Sequence, residues 1–154
     1  MLEDDWASVR AVRLRALRDA PLAFWATYEE EERAPEAWWR EFMRAGEWFL
    51  ARSDNAIVGV AACLDPRDGR EAEVISVWVD PAVRSMGIGL ALVQTAVASR
   101  SRTERAVALE VAEDNAAARA LYEKCGFDVA GPGEVLPHSP EQRQLRMTLT
   151  FPKV

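Results

Sequence analysis

The sequence predicts a mixed α/β domain in which helices cover both faces of one central sheet. Segments with the apolar pattern of strands alternate with segments of helical period along the second half of the chain. A strand, a helix and another strand follow one another over residues 73–112, an order that favours a right-handed parallel crossover. The length of 154 residues, 49% of them hydrophobic, suits one sizeable core, so we assign residues 1–154 to a single domain.

The N-terminal third is predicted to be helical. One of the aspartates at residues 4–5 can cap a helix that starts near Trp6 and that Pro21 ends. A broken helical segment follows, in which Pro35 stands where a new helix can begin and Gly46 closes it.

Three strands are predicted next. Residues 47–53 and 56–64 have strand character, and the Ser-Asp-Asn-Ala sequence that joins them suits a hairpin turn. After a second turn at residues 65–69, a third strand covers residues 71–79. It must end near Pro81, because proline cannot donate to a central ladder.

The C-terminal half alternates helices and strands. A helix is predicted over residues 87–100 and a largely apolar strand over residues 106–112. Asp114 or Asn115 caps the next helix, and Gly126 is placed to follow its last turn. Two further strands complete the sheet, at residues 127–131 and 144–151.

Composition argues against several classes of function. The formal net charge is −6 and no run is rich in lysine and arginine, which disfavours a nucleic-acid-binding protein. No apolar run approaches the roughly 20 residues of a membrane helix, and the acidic N-terminus is unlike a secretory signal, so we expect a cytoplasmic protein without a membrane partner. The single histidine and two distant cysteines, Cys63 and Cys125, match no metal-ligand spacing, so we expect reduced thiols and no metal.

One junction between a strand and a helix exposes its backbone. Residues 77–93 begin like the end of a buried strand and finish like the apolar face of a helix. The first N–H groups of a helix have no internal partner and lie at the positive end of its dipole. Gly87 and Gly89 carry no Cβ atoms to keep a ligand from the amides, and Arg84 can add a charge-assisted contact. The spacing alone leaves two interpretations open, an ordinary tight turn between a strand and a helix and a phosphate-binding turn.

The junction resembles motif A of the GNAT superfamily of acyl-CoA N-acyltransferases. That motif follows a strand and consists of an arginine or glutamine, two residues, a glycine, one residue, and a glycine or alanine. Its three defined positions are here Arg84, Gly87 and Gly89. A second block, residues 115–127, resembles motif B of the family: an asparagine, a leucine–tyrosine pair and a glycine–phenylalanine pair after the helix. The two blocks stand in the family's order, and the resemblance covers nearly the whole chain.

Two features depart from the family pattern. Members usually have a short strand before the first helix, whereas only residues 1–5 precede Trp6 here, so we expect that strand to be missing or truncated. Ser85 stands where glycine is common, but its backbone N–H is still available to a ligand.

The resemblance implies the GNAT fold, a mostly antiparallel sheet in which one parallel pair of strands splays apart and admits acetyl-CoA as the co-substrate. It implies that the turn amides hold the pyrophosphate, that the strand end binds the pantetheine arm, and that a backbone N–H near Val77 or Trp78 stabilises the oxyanion. The residues implied to bind the cofactor lie on the strand end, the turn and the following helices: Val77, Trp78, Val79, Arg84, Ser85, Met86, Gly87, Ile88, Gly89, Leu90, Asn115 and Tyr122.

Two side chains are candidates for catalysis. The resemblance places Tyr122 at the position of the general acid that protonates the leaving thiolate, and an ordinary tyrosine pKa of about 10 keeps it protonated at neutral pH. Glu73, at the start of the motif A strand, is our candidate for the base that deprotonates the acceptor ammonium. The alternatives are a packed aromatic for Tyr122, an exposed strand-end carboxylate for Glu73 and a simple helix cap for Asn115.

The acceptor pocket is expected between the first helices and the last hairpin. Phe24 and Tyr28 follow the proline break and are the substrate-binding candidates. We expect Trp38 and Trp39 in the core and His138 in a solvated loop.

The predicted function is transfer of an acetyl group from acetyl-CoA to a primary amine, carried by a small molecule or a peptide, by direct attack in a ternary complex. The alternatives are a non-catalytic acyl-CoA-binding regulatory module and an acyltransferase that uses a longer acyl-CoA. In many family members the sheet continues across a dimer, so the resemblance also allows a homodimer.

Overall fold

The computed structural model describes residues 3–152 and contains, within them, six β-strands and five α-helices. The strands are β1 (Gly46–Ser53), β2 (Ala56–Leu64), β3 (Ala72–Val79), β4 (Ala106–Ala112), β5 (Asp128–Pro132) and β6 (Gln144–Thr150). The helices are α1 (Trp6–Asp19), α2 (Tyr28–Glu32), α3 (Glu36–Arg44), α4 (Ile88–Ala98) and α5 (Ala116–Lys124). The predicted order of elements is confirmed, and the predicted strand bounds differ from these by at most one residue.

All six strands form one sheet in the order β1-β2-β3-β4-β6-β5. The first three form an antiparallel meander, and β4, β6 and β5 are also antiparallel to one another. The two halves meet at the parallel pair β3–β4, which is joined through the residue pairs Ala72–Val107 and Glu73–Ala108. The prediction of a mostly antiparallel sheet with one splayed parallel pair is therefore confirmed.

A hydrophobic core lies on each face of the sheet. On one face α1 and α3 pack against β1, β2 and β3, with Trp39 and Trp48 among the fully buried side chains. On the other face α4 and α5 cover the sheet, with Val93 and Phe127 at the centre. Burying a large apolar side chain contributes about 1.5–3 kcal/mol, so these two cores carry most of the stability of the layered fold.

Two helix ends in the structure differ from the prediction. Asp5 occupies the N-cap position of α1, but its side chain makes no capping hydrogen bond, and the other candidate, Asp4, forms an ion pair with Arg40. Helix α3 ends two residues before Gly46, which is the first residue of β1. A glycine is required there because a Cβ atom would collide with the backbone carbonyl of Cys63.

The sheet begins at an open edge. Within residues 3–152 no strand precedes α1, because Glu3–Asp5 form a single 3₁₀ turn, so β1 is an edge strand in this part of the chain. None of the helices in the same range is long and apolar enough to cross a membrane. The two cysteines, Cys63 and Cys125, are free.

A buried ion pair ties α1 and α2 to β3. Arg13 is 5% exposed and Glu31 is 3% exposed, and they meet through two hydrogen bonds, Nε to Oε1 at 2.7 Å and Nη2 to Oε2 at 2.8 Å. The remaining nitrogen of Arg13, Nη1, donates to Oγ of Ser76 in β3. The guanidinium also lies 5.1 Å from the ring centroid of Phe24 and 5.0 Å from that of Phe42. One buried charge therefore joins three elements that are distant in sequence.

We expect Glu31→Gln to lower the free energy of unfolding by about 3 kcal/mol, because it leaves the Arg13 charge buried without a counterion. Urea denaturation followed by circular dichroism measures the loss. The matched control is Glu36→Gln, which breaks an exposed ion pair with Arg40 and should leave the denaturation midpoint nearly unchanged. Equal losses in the two variants would contradict the role assigned to the buried pair.

Candidate active site

A cavity of about 910 Å³ opens where β3 and β4 stop pairing. Strand β3 lines it with residues 73–77 and β4 with residues 110–112, while Asn115 and Tyr122 line it from the α5 side. Because the last parallel pair is Glu73–Ala108, the edge of β3 that faces β4 is unpaired beyond it and is left for another partner, while the other edge still pairs with β2. The splayed strands thus form a cleft that can accept an extended ligand.

A β-bulge in β3 accompanies the split. Strand β2 has one residue, Ala61, where β3 has two, Ser76 and Val77. Ser76 has a φ of 60°, in the left-handed region that non-glycine residues rarely adopt, and Arg13 holds its side chain. Since a bulge bends and twists its strand, it turns the second half of β3 away from β4.

The turn after β3 presents amides at the N-terminus of α4. Asp80 accepts a hydrogen bond from the N–H of Ala82 at 2.9 Å and begins a single 3₁₀ turn. Ala91 donates to the carbonyl of Gly87 at 3.1 Å, so the N–H groups of residues 88–90 have no partner within the helix. Such an arrangement suits an anionic ligand.

The two glycines of the turn differ in what their positions require. Gly87 has a φ of 83°, although a Cβ atom there would meet no other atom within 4 Å. Gly89 lies in the first turn of α4, and a Cβ atom there would sit 3.4 Å from Leu121 and 3.6 Å from Val79, which is ordinary contact. Ser85 has a φ of 67°, which explains why glycine is common at its position. Gly87 is thus needed for its backbone conformation, whereas Gly89 can be replaced by alanine.

Other cofactor candidates surround Arg84. Its Nε donates to the carbonyl of Val79 at 2.9 Å, and a terminal nitrogen forms an ion pair with Asp19. Trp78 is buried, and its Nε1 donates to the same Asp19 carboxylate at 2.9 Å. Of the three candidates on the strand end, Val77 lines the main cavity. The cofactor candidates thus fall into two groups: Val77 lines the cavity, whereas Trp78 and Arg84 lie at the turn and bond to Asp19.

Motif B places two of its side chains on the cavity. Tyr122 packs against Phe127, with ring centroids 6.2 Å apart, and burial raises the pKa of Tyr122 above its ordinary value. Its hydroxyl therefore keeps its proton throughout the neutral range. Asn115 caps α5, because its Oδ1 accepts from the N–H of Ala118 at 3.1 Å. The cap uses the amide oxygen and leaves the amide nitrogen as the group that can donate to a ligand.

Two carboxyl groups line the cavity beside the last β3–β4 pair. Burial raises the pKa of Glu73 and of Glu110, and the charge of Glu110 adds to the rise for Glu73. Arg146, which lies 3.6 Å from Glu110, opposes both shifts. A carboxylate with a raised pKa is a stronger base. Sequence reasoning missed Glu110, although a single charge within the apolar segment of residues 106–112 was the available signal.

One wall of the cavity is aromatic. Phe24, a predicted substrate residue, lines it together with Trp25, Trp38 and Phe42. The prediction that Trp38 lies in the core is wrong, since it is 39% exposed, whereas its neighbour Trp39 is fully buried as predicted. Consecutive residues of a helix point in directions about 100° apart, so one tryptophan faces the core and the other the cavity.

Tyr28 and His138 lie outside this cavity. Both line a second cleft of about 420 Å³, where the hydroxyl of Tyr28 accepts from Arg18 at 2.8 Å. The structure thus does not bring the two substrate candidates, Phe24 and Tyr28, into one pocket. His138 lies in a loop as predicted, but its ring is partly buried, and its Nε2 lies 2.7 Å from the carbonyl oxygen of Phe24.

The chain belongs to the acetyltransferase (GNAT) family, whose sequence profile matches residues 11–127. A mycothiol acetyltransferase from Thermobispora bispora is 38% identical in an alignment of 132 residues that covers 81% of this chain and 42% of that protein. This chain therefore spans less than half the length of that relative. The predicted family is confirmed.

Solved structures share the fold along the whole chain. A ribosomal-protein-alanine N-acetyltransferase from Brucella melitensis matches with a TM-score of 0.74 and 22% identity, over 98% of this chain and 97% of that one. An acetyltransferase from Salmonella typhimurium, solved with acetyl-CoA, matches with a TM-score of 0.77 and 20% identity, over 100% of this chain and 92% of that one. At these identities the likeness establishes the fold, and the predicted GNAT fold is confirmed.

We expect Gly87→Ala to lower the free energy of unfolding by about 1–2 kcal/mol, because it forces an L-residue into the left-handed region. The matched control is Gly89→Ala, which should not destabilise the protein, since alanine favours the helix and its methyl group fits. Thermal denaturation compares the two variants. A greater loss from Gly89→Ala than from Gly87→Ala would contradict these roles.

Proposed function

We propose that the chain transfers an acetyl group from acetyl-CoA to a primary amine, which attacks directly in a ternary complex. The observation that carries the proposal is the split between β3 and β4, which has Tyr122 on its wall and unpartnered helix amides at the following turn. Membership of the family supports acyl transfer. The acetyl-CoA held by the structurally similar Salmonella typhimurium protein supports this donor.

The residues present fit an acyl-CoA donor, which supplies an activated thioester when it is bound. The N–H groups of residues 88–90 and the guanidinium of Arg84 would take up the charge of the pyrophosphate. The unpaired edge of β3 at residues 77–79 would bond to the pantetheine amides, as a sheet edge bonds to an added strand. The amide nitrogen of Asn115 would donate from the other wall of the cleft.

The side chains of the cavity would carry the two proton transfers. Glu73 accepts a proton from the acceptor ammonium, so that a neutral amine is available for attack. A backbone N–H near Val77 or Trp78 donates to the carbonyl oxygen of the transferred group, where negative charge develops. As the C–N bond forms and the C–S bond breaks, Tyr122 donates its phenolic proton to the departing sulfur, and its raised pKa keeps it protonated until then. The phenolate then takes the proton that the nitrogen loses as the amide forms.

The acceptor would be the amine of a small molecule or a peptide, and a panel of amines tests this. Calorimetry with CoA establishes donor binding, and a thiol reagent then detects CoA released from acetyl-CoA. The panel includes two amines chosen from the names of similar proteins. The deacetylated form of mycothiol is suggested by the Thermobispora bispora relative, and a peptide with an N-terminal alanine is suggested by the Brucella melitensis protein. A purified chain that binds neither CoA nor acetyl-CoA would overturn the proposal.

We expect Tyr122→Phe to lower kcat about 100-fold while CoA affinity changes less than about twofold, because only the acidic proton is lost. Steady-state kinetics and calorimetry on the same preparations separate the two effects. A parallel loss of turnover and affinity would assign Tyr122 to packing alone. A wild-type chain that binds acetyl-CoA but turns over with no amine would be a regulatory binding module.

We expect kcat/KM to fall as the pH is lowered through the pKa of Glu73, which burial and Glu110 raise above its ordinary value of 4.5. Only the deprotonated carboxylate accepts a proton, so activity is retained above that pKa and lost below it. Glu73→Gln should remove this acidic limb and lower kcat/KM about 100-fold.

The comparison variant is Glu110→Gln, on the neighbouring strand. It removes a like charge, so it should lower the pKa of Glu73 and move the acidic limb to lower pH. If Glu110→Gln abolishes the limb and Glu73→Gln keeps it, Glu110 is the base.

A further inference from the structure

Charged side chains of α1 hold the part of β3 that β4 does not pair with. Arg15 donates to the carbonyl of Ile57 on β2 at 2.6 Å, forms an ion pair with Asp80, and lies 5.1 Å from the ring centroid of Trp78. Asp19 stands four residues further along α1, on the same face of the helix. This face of α1 therefore covers the splayed half of β3 and the start of the turn.

The Asp19 carboxylate joins two parts of the site. One of its oxygens, Oδ2, accepts both from Nε1 of Trp78, at 2.9 Å, and from a terminal nitrogen of Arg84. The hydrogen bonds from Trp78 and Arg84 lower the pKa of Asp19, so the carboxylate is charged across the neutral range. Asp19 does not line the main cavity, and the proposed proton transfers do not use it.

Arg84 is fixed at two points before any ligand binds. Its Nε donates to the carbonyl of Val79, which closes the turn on itself, and Asp19 anchors the end of the side chain to α1. An arginine has five N–H donors, so others remain for a phosphate group. A side chain that is already ordered loses less rotamer entropy when it binds a ligand.

We propose that Asp19 is a positioning residue for the pyrophosphate end of the acyl-CoA site. Its carboxylate holds Arg84 and Trp78 together and thereby sets the shape of the turn before the donor arrives. The inference rests on the proposed function, because it assumes an acyl-CoA donor. Its effect is confined to the phosphate end, because Asp19 contacts Trp78 at the indole and not at the backbone, and because Asp19 does not line the cavity that holds Glu73 and Tyr122.

The test compares Asp19→Asn with two donors, acetyl-CoA and S-acetylpantetheine, which lacks the pyrophosphate. We expect the KM for acetyl-CoA and the Kd for CoA to rise about tenfold, the effect of losing one charge-assisted hydrogen bond, with kcat and the acceptor KM little changed. The kcat/KM for S-acetylpantetheine should stay at the wild-type value. The matched control is Asp4→Asn, which breaks the ion pair with Arg40 at the other end of α1 and should change neither donor.

A double-mutant cycle separates positioning from a general loss of stability. If Asp19 acts through Arg84, the double variant Asp19→Asn, Arg84→Gln binds CoA no more weakly than Arg84→Gln alone. Additive losses would overturn the proposal, as would unchanged or tighter CoA binding by Asp19→Asn, or an equal loss with S-acetylpantetheine. If the wild-type chain fails to bind CoA, the proposed function is wrong. If the wild type binds CoA and Asp19→Asn binds it equally well, only this inference is wrong.

Discussion

The buried contact between Arg13, Glu31 and Ser76 is the constraint on which the site depends. Ser76 lies in the bulge of β3 with a backbone conformation that costs about 1–3 kcal/mol, and such a conformation persists only when its surroundings fix it. Arg13 supplies that restraint from α1, and Glu31 neutralises the buried charge. A buried ion pair adds little net stability, but it permits few alternative arrangements. The contact thus fixes where β3 leaves β4 and where α2 sits over the cleft.

The sequence predicted the elements, and the family resemblance predicted the split between β3 and β4, but neither predicted the bulge that bends β3. Turn residues and apolar period located the strands to within one residue, and Gly126 follows α5 with a φ of 101°, as its position after the helix predicted. The bulge was hidden because burial alternates regularly along β3, as in an undistorted strand. Arg13 was hidden as well, since it is one of several arginines on α1 and only tertiary packing buries it.

The positions of motif A differ in what the local structure requires of the residue there. Position 87 needs glycine for a left-handed backbone, and position 85 has the same backbone preference but holds serine in this chain. Position 89 needs only a small residue, because Leu121 and Val79 lie within contact distance of a Cβ atom there. The motif therefore combines a backbone requirement with a packing requirement, and a pattern that allows glycine or alanine at its last position reflects the second of these.

The proposed donor and acceptor sides of the cleft differ in how far apart their residues lie in sequence. The turn after β3 and the start of α5 each consist of one short segment, so their motifs can be recognised in the sequence. The acceptor wall is assembled from long-range contacts, such as that between the His138 ring and the Phe24 carbonyl across 114 residues. Which of Trp38 and Trp39 faces the cleft depends on how α3 packs. Local pattern can therefore indicate the proposed coenzyme, whereas the proposed amine would be selected by packing that only the folded chain defines.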